Sequence, residues 1–124
     1  MARENFVLKE LQSKGEVRFK PHGNSMTPKI YSGDPVIVKE IPIGLYKVGD
    51  IVYCKIKGGY VLHLLTAISY NKDKDRYQIS NNHGHVNGWI GPENIYGICI
   101  EADDRVIISD EELQKRFDEI EKDY

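Results

Sequence analysis

The stretch His22-Gly23-Asn24-Ser25-Met26-Thr27-Pro28-Lys29-Ile30-Tyr31-Ser32-Gly33-Asp34, followed by the apolar run Pro35-Val36-Ile37-Val38, decides the reading of this chain. A small polar residue set between a glycine-bearing turn and a methionine, closed by Pro28 and the turn pair Gly33-Asp34, displays one hydroxyl at a strand edge while flanking strands hold it still. That is how a nucleophilic serine is presented, so Ser25 is the residue on which function turns. Asp34 reads as a turn former, because Gly-Asp ahead of a strand needs no chemistry.

Outward from Ser25 the pattern is mostly β. Glu16-Val17-Arg18-Phe19-Lys20 alternates as a half-exposed strand, and Pro35 to Glu40, Ile51 to Ile56 and Tyr60 to Ser69 are β-branched or aromatic runs separated by glycine turns. Gly58-Gly59 signals a hairpin. Arg76 to Ser80 returns as a strand after the polar turn 71–75, and residues 81–88 read as a polar loop ending on Trp89. Ile95 to Glu101 is expected to pair with Arg105 to Ile108 through Ala102-Asp103-Asp104. Ala2 to Lys14 predicts a short helix stopped by Gly15. Ser109, with Glu112 as its capping-box partner, predicts a closing helix with Leu113, Phe117 and Ile120 on one side. The expectation is a single domain over 1–124: helix about 2–14, β core about 16–108, helix about 110–122, its sheet antiparallel and coiled or barrel-like.

Composition narrows the function classes. Seventeen Lys and Arg against 19 Asp and Glu give a formal charge of -2, which supplies no global attraction to phosphate or anionic lipid. No apolar run approaches the roughly 18 residues of a membrane span, and Met1-Ala2-Arg3-Glu4-Asn5 lacks a signal peptide's apolar core, so a soluble cytoplasmic protein is expected. Cys54 and Cys99 sit in apolar strands without Cys-x-x-Cys spacing and read as buried thiols. His83-Gly84-His85 together with His63 does not make a zinc pattern, so neither a metal nor a cofactor is assigned. The 24 residues before Ser25 hold at most one helix, too little for a helix-turn-helix, which argues against sequence-specific DNA binding by this chain alone.

The Ser25-Met26-x-Pro28 pattern with Gly33-Asp34 resembles the nucleophile box of the superfamily of LexA-type repressors, UmuD-like proteins and type I signal peptidases, over about residues 16 to 101. That resemblance implies a LexA/signal-peptidase-like sheet and a serine peptidase. Its members draw the general base from a strand one hairpin later, as lysine or, in the endoplasmic-reticulum branch, histidine. Here His63 matches, implying a Ser25/His63 dyad in hydrogen-bond reach; an ordinary imidazole accepts a proton near neutral pH. The histidine branch orients its base with an aspartate, whereas this chain has no acidic residue between Asp75 and Glu93 and keeps asparagines. Asn81 or Asn82 is therefore the candidate orienter. Asn24 and Met26 stand at the oxyanion and substrate end, and the hydroxyl that some signal peptidases carry two residues before the nucleophile is replaced by Gly23.

The chain is also similar to small stand-alone bacterial and phage proteins with this domain. Two other classes stay open: a non-catalytic module binding a peptide or protein through a loop that includes His83, His85, Asn87 and Trp89, and a regulator descended from a phage repressor. No Ala-Gly pair lies in the N-terminal segment, which favours a substrate in another chain over self-cleavage. Neither the partner nor the oligomeric state is legible.

Overall fold

Alternating side chains in the middle of the chain build one antiparallel eight-stranded sheet. The computed structural model describes residues 5–121. In chain order these form α1 (Phe6–Lys14), β1 (Glu16–Phe19), β2 (Val36–Lys39), β3 (Ile51–Ile56), β4 (Gly59–Ser69), β5 (Arg76–Ser80), β6 (Val86–Ile90), β7 (Ile95–Ala102), β8 (Arg105–Val106) and α2 (Asp110–Glu121), with short 3-10 turns at Ile43–Leu45 and Pro92–Asn94. The first residues of the expected N-terminal helix, 2–4, and residue 122 of the C-terminal one lie outside the described residues.

Local chemistry sets the boundaries. Asn5 caps α1 by accepting from the Leu8 N–H at 3.0 Å, and the helix ends where the Gly15 N–H donates to Leu11 O at 2.7 Å. Ser109 Oγ accepts from the Glu112 N–H at 3.1 Å and starts α2 as its sequence predicts. Lys57 and Gly58 both have positive φ, 51° and 80°, the type I′ geometry that matches strand twist, so the β3–β4 hairpin turns on them and pairs Ile56 with Gly59.

The strand order is β1-β2-β7-β3-β4-β5-β6, with β8 on β7. Because β7 lies antiparallel between β2 and β3, those two strands run parallel and residues 40–50 must cross over it. The sheet coils without closing into a barrel, leaving β1 and β6 as its ends. One face packs Val52, Cys54, Leu65, Ile79 and Ile98 against Leu113 and Phe117 of α2. The other packs Val36, Val38, Ile51, Tyr53, Leu62 and Cys99 against Leu11 of α1 and against Met26 and Ile30 of the Ser25 turn. At roughly 1.5–3 kcal/mol per buried Val, Leu or Ile side chain, both layers contribute heavily to holding the sheet. Among the described residues no helix is long and apolar enough to cross a membrane.

The sequence reading missed one strand. Val86–Ile90 is β6, not the end of a loop. Its register against β5 passes from Ile79–Gly88 to Ser80–Val86, so Asn87 is an extra, bulged residue that breaks the alternation by which strands are read.

Candidate active site

Pro21 to Asp34 form a turn that closes on itself before the chain enters β2. The Gly33 N–H donates to Pro21 O at 2.7 Å, the Gly23 N–H to Ser32 Oγ at 3.1 Å, and the Asp34 carboxylate accepts from the Tyr31 N–H at 2.9 Å, so Asp34 is a turn former in the fold as well. Met26 and Ile30 are driven into the core beneath it, which leaves the adjacent Ser25 half-buried above. Neither the hydroxyl nor the N–H of Ser25 has a hydrogen-bond partner among the described residues.

His63 reaches the same place from β4. It pairs with Val52, which puts its Cβ on the α2 face of the sheet, whereas Leu62 pairs with Tyr53 on the Ser25 face. The ring does not stay in the α2 core. Pairing of β4 with β5 begins at Leu64–Ser80, so the backbone of Leu62 points to a side where no strand follows. The imidazole curls onto this open edge, its Nδ1 donating to Leu62 O at 2.7 Å. A carbonyl can only accept, so Nδ1 carries the hydrogen, and in the neutral ring Nε2 is left with its lone pair.

Ser25 and His63 thus line one cavity of about 210 Å³. Among the described residues no hydrogen bond joins them. The cavity's other walls combine the aromatic Phe19, Tyr31, Tyr53 and Tyr60 with apolar side chains such as Met26, Ile30 and Leu62, and Tyr53 and Tyr60 are stacked at 6.1 Å between ring centres. Sequence reading passed over these tyrosines, and also His22, which lines the same cavity. The signal available was positional: Tyr53 and Tyr60 flank the β3–β4 hairpin on the face opposite the α2 core, diagonal to one another.

The asparagines do something other than orient the histidine. Asn81 Oδ1 accepts from the His83 and His85 N–H groups at 2.8 and 3.0 Å, and its own N–H donates to His85 O, which ties up the loop itself. Asn82 clamps the nucleophile turn, its N–H donating to Ser25 O at 2.8 Å and its Nδ2 to Thr27 O at 3.0 Å. His83 Nε2 joins that clamp by donating to Asn24 O at 2.9 Å. Neither asparagine bonds His63. The physical reason is that the loop folds onto the Ser25 turn, while the histidine is held by the backbone of its own neighbour. Asn24 also departs from expectation, for its carbonyl anchors the turn and its residue does not line the cavity. Met26 does line it, buried. His85 is exposed, and Trp89 stands on β6, 42% exposed and away from this cavity, with its carbonyl accepting from Arg76.

Among the described residues no three His, Cys, Asp or Glu side chains come together in a group that could hold a metal ion. Comparison of the chain with models of protein families, with curated proteins and with solved structures finds no match.

Proposed function

We propose that this chain is a LexA/signal-peptidase-like serine peptidase domain that cleaves an extended peptide of another protein in the cytoplasm. The observation that carries the reading is the held imidazole: Leu62 O fixes the Nδ1–H tautomer of His63, and Ser25, with its hydroxyl unengaged, opens on the same cavity. Leu62 O thereby performs the orienting part of the task a third side chain has in a triad, although a neutral carbonyl stabilises an imidazolium less than a carboxylate does. The two buried cysteines suit a reducing compartment.

In this mechanism a peptide lies along the open edge of β4 at residues 60–62, adding a strand where β5 has ended. His63 Nε2 takes the proton of Ser25 as Oγ attacks the carbonyl carbon. The Ser25 N–H, which has no partner among the described residues, faces the developing oxyanion. The imidazolium returns the proton to the leaving amine, and water then hydrolyses the ester by the reverse route. Ser25 and His63 close to bonding distance as substrate fills the cavity, a tightening usual for catalytic groups.

A fluorophosphonate probe tests this. Wild type is expected to be phosphonylated on Ser25 at neutral pH, Ser25→Ala not at all, and His63→Gln at a rate lower by about 100-fold or more. The missing Ser25–His63 bond and the aromatic side chains of the cavity favour one rival, a non-catalytic module that binds a peptide in the same cavity. Undiminished labelling of His63→Gln, or no labelling of wild type that still binds peptide in the cavity, decides for that rival.

A further inference from the structure

A second cleft, of about 580 Å³, lies where the coiled sheet fails to close, between β6, the hairpin end of β3 and Asn94. Its size is within the roughly 300–1,000 Å³ of ordinary ligand sites. It shares no lining residue with the Ser25 cavity.

Its construction is specific. The bulge in β6 turns Asn87 out of the β5 ladder, and Asn87 Oδ1 is buried without a hydrogen-bond partner. Such an atom is costly and calls for an explanation, because nearly all buried polar atoms in proteins are paired. Asn87 lines this cleft. The next residue, Gly88, has φ 147°, and an added Cβ would stand in contact with Ile56 Cδ1 of β3 at 3.4 Å, so a side chain there would fill space on this side of the sheet.

The walls carry one sign of charge. Of the residues lining the cleft the charged ones are Lys55 and Lys57. Lys55 Nζ stands over the Tyr60 ring at 5.3 Å, and Lys57 is exposed on the turn with no ion pair among the described residues. The nearby carboxylate of Glu93 is already bonded to Lys74 at 3.1 Å. The walls are also strand edges. β6 ends the sheet, and β7 leaves β3 at Cys54, so Lys55 and Ile56 have strand partners on the β4 side alone.

We propose that this cleft binds an extended acidic peptide segment of a partner protein, which adds to the free edge of β6, gives an N–H to Asn87 Oδ1 and places a carboxylate on Lys57. An open strand edge selects an extended backbone, Lys57 selects its charge, and the orphan acceptor selects a donor. Trp89, exposed at the rim, supplies apolar contact beside the strand. The site does not depend on the chemistry assigned to Ser25.

The test uses a capped hexapeptide alternating glutamate and valine, with its lysine-for-glutamate counterpart as control, followed by amide chemical shifts of the full chain. Saturable shifts are expected at residues 55–58 and 86–90 with the acidic peptide, weakening with salt, and equally in Ser25→Ala. Asn87→Leu should melt no lower than wild type, since it removes an unpaired buried atom, and should bind at least about tenfold more weakly. Lys57→Glu, an exposed change that leaves the fold in place, should do the same and serves if Asn87→Leu does not fold. Unchanged affinity in Lys57→Glu, equal binding of the lysine peptide, shifts confined to the Ser25 cavity, or no saturable binding each overturns the proposal.

Discussion

Cys54 and Cys99 lie on opposite faces of the sheet, fully buried, and burial in apolar surroundings pushes each thiol up to about 12. Almost no thiolate exists at neutral pH, so Ellman's reagent should leave both unmodified in the native protein and react with both only on unfolding. Rapid modification of either in native buffer would contradict this packing. It follows that an electrophile captured by the folded chain is not captured by sulfur, which makes Ser25 labelling simple to interpret. The turn that carries Ser25 depends on His83, whose Nε2 donates to Asn24 O, and this bond is exposed. His83→Ala is therefore expected to cost about 1 kcal/mol or less in global stability. It should nonetheless raise amide exchange through 24–29 and slow Ser25 labelling, a split between local and global readouts that a residue of merely structural weight does not produce.

At the scale of elements, β7 comes closest to Val38 and Lys39 of β2 and to Leu11 of α1 at one glycine. A Cβ built on Gly97 would stand 2.6 Å from Val38 Cγ1, 3.0 Å from Lys39 O and 3.1 Å from Leu11 Cδ2. Gly97→Ala should cost about 1–3 kcal/mol, because a backbone carbonyl and two packed side chains must give way together. A urea midpoint equal to wild type would show that the α1 contact is looser than this. Gly97 was not singled out from the sequence, since a glycine in a strand run looks like weak propensity until its neighbours across the sheet are known. Elements whose signal is local were legible: the β3–β4 hairpin, though it turns on Lys57-Gly58, one residue before the expected Gly58-Gly59, the caps Gly15 and Ser109, the β-branched and aromatic run 51–56 and the strand 76–80. Strand β6 was not, because the Asn87 bulge and Gly88 break the period in a segment already rich in turn residues. The site divides in the same way. Ser25 and His63 are side chains that a pattern can carry, and both line the cavity, whereas the group holding His63 is the Leu62 carbonyl, to which no residue type gives a clue.

A buried ion pair fastens α2 to the sheet. Arg116 of α2 reaches across to the start of β3 and grips Asp50 through two bonds, at 2.8 and 3.0 Å, with both side chains about 95% removed from solvent. It also donates to Leu45 O at 3.2 Å and to Glu112, while the Lys47 N–H supplies Asp50 with a further donor at 2.8 Å. The Asp50 bond raises the Arg116 guanidinium further above its ordinary value, and the bond from Arg116 holds the exposed Glu112 carboxyl below the usual carboxylate range. A lowered carboxyl adds stability above its unfolded value and loses it as pH falls through the folded one. Glu112 thus contributes at neutral pH and stops contributing in acid, once its lowered carboxyl is protonated. The Asp50 pair is the larger matter. Removing one partner strands a buried charge, so Arg116→Ala should lower the unfolding free energy by about 3–5 kcal/mol and release α2 from Leu113 onward. Replacing both, as Asp50→Leu with Arg116→Met, removes the two desolvation costs along with the attraction and should restore most of that loss. Urea unfolding at constant slope measures each variant. A double variant as unstable as the sum of its singles would mean that the Leu45 and Lys47 bonds, not the charge pair, fasten the helix to the sheet.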